Sequence, residues 1–483
     1  MDKIINFRLT SKILSRNVFI VSLSILVCSF IALIYSEPVF PFLVSFLISL
    51  TVAAILFLIS KQEKNSAELN RKDAYFAVTS SWILMTLLGS LPYLISGSIP
   101  VFVDALFESV SGFTTTGSSI LTDIEALPKS ILFWRSLTHW IGGIGIIVLV
   151  ILIMPTLQIG GYQLFTMESS LQEKIHPKIK SVGQRILAIY MLLTAVEVVL
   201  LLLGKMNLFD SVCHAFGTIA TGGFSPKNTS ITDYSPYIQY VIMIFMLLAG
   251  TNFVIHYYIL KREFRKVKEN EEMRFYFAVV SIVGLIITLV LFFRMNKPFE
   301  EAFREAFFQV ISIVTCTGFA SADYLNWPVF AWVLIFLIMF LGGSTGSTAG
   351  GIKMARHLVL LKNIRRNFRE FLHPHAILHL RINGRPINDE TNRTILSFIS
   401  IYVIVFVIGS ILIVATGVDI RTASSSVATC MAGIGPGIGT VGPASNFAHL
   451  PANSKVLLSI LMIIGRLEIY TVIVLFTKKF WEH

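Results

Sequence analysis

Long apolar runs, separated by short polar breaks, fill the sequence from about residue 17 to residue 479. A helix of about 20 apolar residues crosses roughly 30 Å of hydrocarbon, so each run reads as a membrane span. Spans are predicted near 17–35, 39–60, 74–97, 131–155, 181–204, 236–260, 273–294, 328–368, 394–416 and 454–479. Ser36, Glu37 and Pro38 form a tight turn that makes the first two a hairpin. The other eight fall into four units of one plan: long helix, short re-entrant helix, glycine-centred polar turn, long helix. The short helices are predicted at 101–113, 208–219, 299–314 and 419–431. The turns behind them read SGFTTTGSSI (111–120), IATGGFS (219–225), TCTGFAS (315–321) and, more loosely, AGIGPGIG (432–439).

Composition agrees with this pattern and narrows the class. The chain is 54% hydrophobic and 14% charged, against roughly 25% charged in soluble domains. An all-α integral membrane protein follows, with four helix–pore loop–helix repeats around a pseudo-fourfold pore behind an N-terminal two-helix hairpin. The organisation is 1–70 for the hairpin, then repeats at 71–160, 161–265, 266–385 (with an intramembrane gating loop) and 386–483. The first apolar run is too long for a signal-peptide core, and no A-x-A site follows it, so it is expected to remain as a span.

The net charge of +11 does not indicate nucleic acid, because the bases gather in loops between spans. Lys61, Lys64, Arg71 and Lys72 share one side with Lys174, Lys178, Lys180 and Arg185. The 261–274 loop, the basic 353–393 segment, and Lys478 and Lys479 join them, while the four glycine turns fall opposite. The positive-inside rule then places both termini in the cytoplasm and supports ten spans. The four cysteines lie in or beside apolar runs without C-x-x-C spacing, which points to neither disulfides nor a metal site.

Non-helical backbone at membrane depth is tolerated only where protein buries it or water lines it. Four such turns meeting on one axis would aim carbonyl oxygens inward and replace the hydration shell of a cation. Gly117, Gly222, Gly318 and Gly435 permit the close approach this needs. Thr116, Thr221 and Thr317 add hydroxyls, and the C-terminal ends of the short helices add partial negative charge. The expected filter is Thr115, Thr116, Gly117; Ala220, Thr221, Gly222; Cys316, Thr317, Gly318; and Gly433, Ile434, Gly435. The competing use of these residues is relief of crowding where helices pack.

The residues 342–351 (Gly342, Gly343, Ser344, Thr345, Gly346, Ser347, Thr348, Ala349, Gly350, Gly351) interrupt the second long helix of the third unit. Such a stretch resists continuous helix and could block the pore from beneath as a two-state element. Lys353 flanks it, and Arg466 with Glu468 lies mid-way along the last span, as barrier, as anchor for that segment, or as a structural ion pair. Arg135, His139, His214 and His256 read as packing residues; Asp104 and Glu108 either enrich cations at the outer mouth or cap their helix.

Two letter-matches fail. GIGTVG (437–442) runs into Pro443 outside any strand–helix unit, and GSTAGGIK (346–353) has Ile352 where a phosphate loop needs Gly-Lys. Nothing else suggests an enzyme, and no organic cofactor is expected.

The chain resembles the TrkH/TrkG/KtrB superfamily of potassium transporters over about residues 70–480. The motifs are FESVSGFTTTGSS (107–119), FWRSLTHWIGGIGIIVL (133–149), the Thr-Gly turns, GGSTGSTAGGIK (342–353) and GRLEIYTVIVLF (465–476). The leading hairpin favours the TrkH-like branch. The resemblance implies that the four glycines form a potassium filter in a bacterial inner membrane. It also implies a homodimer and a cytosolic TrkA-like nucleotide-binding subunit that sets opening. Gly433 departs from the family by standing where Asn is common. A sodium- or proton-coupled secondary transporter is the alternative; it predicts inverted repeats and mid-membrane acids rather than parallel repeats and an acid-free turn region.

Overall fold

The computed structural model describes residues 5–61, 70–148, 178–376 and 378–482. The predicted features within 62–69 and 149–177, including Lys64, Lys174 and the far end of the 131–155 span, lie outside the described residues. What is described is nearly all helical, with one two-residue β-hairpin, Arg381–Ile382 against Arg385–Pro386. It is a multi-pass membrane protein: Leu, Ile, Phe and Val face outward from the long helices, as lipid demands.

Among the described residues, six helices are long and apolar enough to cross a membrane, and two sharply bent pairs bring the number to eight. The six are Phe7–Ile34, Phe40–Ser60, Arg71–Ile95, Gly183–Leu203, Glu271–Met295 and Asp389–Val414. The two remaining predicted spans are Lys129–Val148, which ends where the description ends, and the interrupted pair Val329–Ile338 and Met354–Leu372.

The leading pair is a tight antiparallel hairpin whose turn docks on the first unit. Glu37 accepts hydrogen bonds from the backbone N–H groups of Lys129 and Ser130, 2.6 and 2.9 Å away. A carboxylate at a helix N-terminus satisfies free donors and meets the positive end of the dipole.

The short helices are Phe102–Phe113, Leu208–Ile219, Phe299–Val314 and Ile420–Ala432, within a residue of expectation. Their starts are chemical: Asn207 and Asp419 cap the second and fourth through their side chains, and Pro298 precedes the third. Each is strongly amphipathic in sequence and almost wholly buried from its second turn onward.

Two predicted spans are corrected. The 236–260 run is not one helix but Pro236–Ala249 and Phe253–Leu260, bent by 101°. The 454–479 run breaks between Arg466 and Ile469, with a bend of 113°. Apolar composition alone hides both breaks. At the first, Asn252 caps the new helix by accepting from Val254 N–H at 2.9 Å. At the second, Glu468 sits at φ +62°, outside helical backbone.

Candidate functional site

All four short helices end in the same way. Backbone N–H groups donate five residues back: Thr116 to Ser111, Gly222 to Gly217, Thr317 to Ser312 and Ile434 to Thr429, at 2.8–2.9 Å. This is the Schellman closure, which requires a left-handed residue just before the donor. Thr115, Thr221, Cys316 and Gly433 hold that place, at φ +52°, +54°, +56° and +71°. Three of the four are not glycine, and each such residue costs roughly 1–2 kcal/mol of backbone strain.

This common geometry shifts the register of the second turn. The glycines that follow the donors are Gly117, Gly223, Gly318 and Gly435, all at positive φ. Gly222 therefore matches Thr116, Thr317 and Ile434, and Gly223 takes the place that the sequence reading gave to Gly222. Ala220 is the helix C-cap and lies before the turn. The doubled glycine in ATGG concealed the offset. A rule that counts residues back from the helix cap would have found it.

With that register the turns close a cycle. A methyl group added to Gly117 would collide with the carbonyl oxygen of Gly222, and one on Gly223 with that of Thr317. One on Gly318 would collide with the carbonyl oxygen of Ile434, and one on Gly435 would lie 2.9 Å from that of Thr116. Each turn thus presses its glycine on the carbonyl that precedes the next turn's glycine, and the fourth returns to the first. Above the ring, residues of all four turns line a cavity of about 200 Å³, among them Gly117, Gly223, Gly318 and Gly435.

Small-residue packing also occurs, at different glycines. Gly142 approaches the Phe113 carbonyl and Gly465 that of Met431, so the second long helices lie close behind the short ones.

Buried polar groups hold the strands above the ring. Glu108 accepts from Ser119 Oγ and from Ile120 N–H at 3.0 Å. Arg135 Nε lies 2.8 Å from Glu108, with both side chains almost fully buried. Its Nη1 and Nη2 reach the Ser225 carbonyl and Ser119, and its Cζ lies 4.0 Å from the Phe224 ring centroid. Arg135 thereby ties the first turn to the second. Glu108 is spent on this network rather than at the mouth, and Asp104 pairs with Lys455 at 2.7 Å. His214 spans Asp210 and Ser225, and His256 meets the Leu248 carbonyl, as structural histidines do. His139 stacks on Phe224 with ring centroids 4.1 Å apart and backs directly on Gly222. At an exposed site Lys227 hydrogen-bonds Glu125 at 2.9 Å and holds that carboxyl below its usual range.

Removing one partner of a buried ion pair costs about 3–5 kcal/mol because the other charge is left uncompensated. Arg135→Ala is therefore expected to lower the melting temperature of the detergent-solubilised protein sharply, while Glu125→Ala in the exposed pair changes it little. Equal shifts for the two would contradict the burial argument.

The 342–351 segment lies against the ends of the second and fourth short helices. Thr348 Oγ1 donates to the Ile219 carbonyl at 3.0 Å, at the end of the second short helix. A methyl on Gly350 would collide with the Ala432 carbonyl, at the end of the fourth. The segment also fills the break in the second unit: Ser344 N–H donates to the Gly250 carbonyl and Phe253 N–H to that of Gly346, at 2.9 and 3.2 Å. Gly342, Gly346 and Gly351 adopt positive φ. Lys353 Nζ closes on the Ala349 carbonyl at 2.6 Å. Arg466 Nη1 donates to the Thr348 carbonyl at 2.8 Å. Of the roles open to Arg466, the anchoring contact is the one present; Glu468 pairs with Arg356 instead.

The sequence model of the TrkH family, described as cation transport protein, matches residues 40–483. The chain is 36% identical to the Trk system potassium uptake protein TrkH of Salmonella typhimurium, with 99% of this chain and 100% of the relative covered. It is 33% identical to the Trk system potassium uptake protein TrkG of Escherichia coli K12, over 96% of each. The crystal structure of the potassium transporter TrkH from Vibrio parahaemolyticus superposes with a TM-score of 0.91 at 31% identity, over 99% of this chain and 100% of that one.

Proposed function

Because the chain belongs to the TrkH family of cation transport proteins, we propose that it takes up potassium through a channel-like pore whose filter is the ring of four turns. The closed cycle of glycine–carbonyl contacts carries this reading. Turns packed that closely bring backbone oxygens of all four together, where they can substitute for water around a cation. The filter strands are Thr115, Thr116, Gly117; Thr221, Gly222, Gly223; Cys316, Thr317, Gly318; and Gly433, Ile434, Gly435. The negative ends of four short helices add to the attraction.

Passage is set by the 342–351 segment, held under the ring with Lys353 and Arg466. The Nε and Nη2 atoms of Arg466 have no partner among the described residues, which leaves charge to oppose a descending cation. The basic segment that follows, with Arg365 and Arg369 exposed, suits a cytosolic face. A homodimer with a TrkA-like cytosolic subunit completes the proposal and rests on the family resemblance. The termini are then cytoplasmic and the membrane is the bacterial inner one.

The test is cation flux into proteoliposomes containing this chain alone, with potassium, rubidium and sodium compared. Faster flux of potassium and rubidium than of sodium is expected. Equal flux of all three would sink the filter assignment.

A further inference from the structure

Both ends of the interrupted segment converge on one carboxylate. Glu272 is 1% exposed and stands in the first turn of the Glu271–Met295 helix. Its Oε1 accepts the backbone N–H of Thr345, the fourth residue of the segment, at 2.7 Å. The same oxygen accepts the N–H of Ala355 at 3.0 Å, just past where it ends. Thr345 lies outside any helix and Ala355 stands in the first turn of Met354–Leu372, so neither N–H has a ladder partner and this oxygen ties the two strands of the neck together. The Met354 N–H, bonded to the Gly343 carbonyl at 3.0 Å, draws the same two strands together.

The residue before it leads to the surface. The Glu271 N–H donates to Asn383 Oδ1 at 2.8 Å, across the tip of the 381–386 hairpin. Asn383 and Gly384 turn that tip at φ +51° and +76°, the two-residue turn that keeps hairpin strands in twist. Lys362 ion-pairs with Glu271 and donates to the Arg381 carbonyl at 2.7 Å. The hairpin itself is seated by Leu380, Ile382 and Ile387 on Val359 and Ile395. Its tip and the helix start border an open cleft of about 660 Å³ with Arg265, Lys268 and Arg274. A hydrogen-bonded path therefore runs from an exposed hairpin through one helix start to both ends of the buried segment.

We propose that Glu272 is a positioning residue that couples the 381–386 hairpin to the interrupted segment, so that displacement of the hairpin releases the segment from beneath the ring. The inference rests on the reading of 342–351 as the element that obstructs the pore. It assigns to the hairpin and the 271–272 helix start a role in opening that packing alone does not require.

The experiment is rubidium uptake by proteoliposomes holding the full chain, without any partner, for Glu272→Ala, Asn383→Ala, the double variant and a chain lacking residues 344–349. Losing an acceptor shared by two buried donors should raise basal flux about tenfold in Glu272→Ala and about threefold in Asn383→Ala. On one path the effects do not multiply, so the double variant should match Glu272→Ala rather than reach about thirtyfold. Glu272→Gln keeps an acceptor and should rise less than Glu272→Ala; it replaces the alanine variant if that one fails to fold. A multiplied effect, or unchanged flux in the Glu272 variants when the shortened chain conducts faster, overturns the coupling alone. Unchanged flux in the shortened chain as well brings down the obstruction reading and the coupling with it.

Discussion

Removing residues 344–349 is expected to raise potassium flux by about tenfold or more, which corresponds to about 1.4 kcal/mol of barrier. The neck of the segment permits the cut. A methyl on Gly342 would lie 2.5 Å from the Gly350 carbonyl oxygen and 3.0 Å from Gly351 Cα, so the strands that flank the cut pack side by side. The deletion removes the Thr348 contacts with Ile219 and Arg466 and leaves the short helices and their turns intact. Arg466→Ala removes one anchor and the charge beside it but leaves the segment in place, and should raise flux by a smaller factor. Flux is read in proteoliposomes beside a melting curve in detergent. An undisturbed melting temperature with unchanged flux would contradict an obstructing role.

Gly435→Ala is expected to lower potassium flux at least about tenfold and to erase discrimination against sodium, whereas Gly433→Asn should stay within about twofold. The two glycines are neighbours in sequence and opposites in space. Gly435 lies at φ +102°, and an added methyl would meet Thr116 and Gly117 backbone at 2.9–3.1 Å. Gly433 lies at φ +71° with nothing closer than the Thr115 carbonyl at 3.9 Å. Thr115, Thr221 and Cys316 already carry side chains at the matching place in the other turns. Asn tolerates left-handed backbone better than most residues. Rubidium uptake with and without excess sodium distinguishes the outcomes; equal loss in both variants would refute the alignment of the fourth turn with the others.

Much of this architecture is legible in the sequence because it follows from transfer energy and local chemistry. Apolar runs of spanning length place the long helices. Asn207, Pro298 and Asp419 mark where three of the short helices begin, and glycine-rich polar turns mark where all four end. The 342–351 interruption is visible because ten small residues cannot sustain a helix in an otherwise apolar span. The buried pair Glu108 and Arg135 was legible as two charges but not as one bridge between turns.

The tertiary structure decided what depends on a partner distant in sequence. Gly223 rather than Gly222 is the second turn's counterpart of Gly117, Gly318 and Gly435, because its contact is with the Thr317 carbonyl, nearly a hundred residues away. The breaks after Ala249 and Arg466 are invisible to hydropathy. The Ser344 and Phe253 amides and the Arg466–Thr348 bond accompany them, and each joins a break to the interrupted segment. Glu272 illustrates the limit most plainly: in the sequence it is one acid in a basic loop, and only folding brings Thr345 and Ala355 to the same oxygen. Sequence by itself determined which segments enter the membrane and that the four glycine turns and the 342–351 stretch leave the helix, since these are set by each residue's own solvation and backbone preference. Which carbonyl, amide or charge completes each departure was decided by packing, because those partners are chosen by proximity in the folded chain.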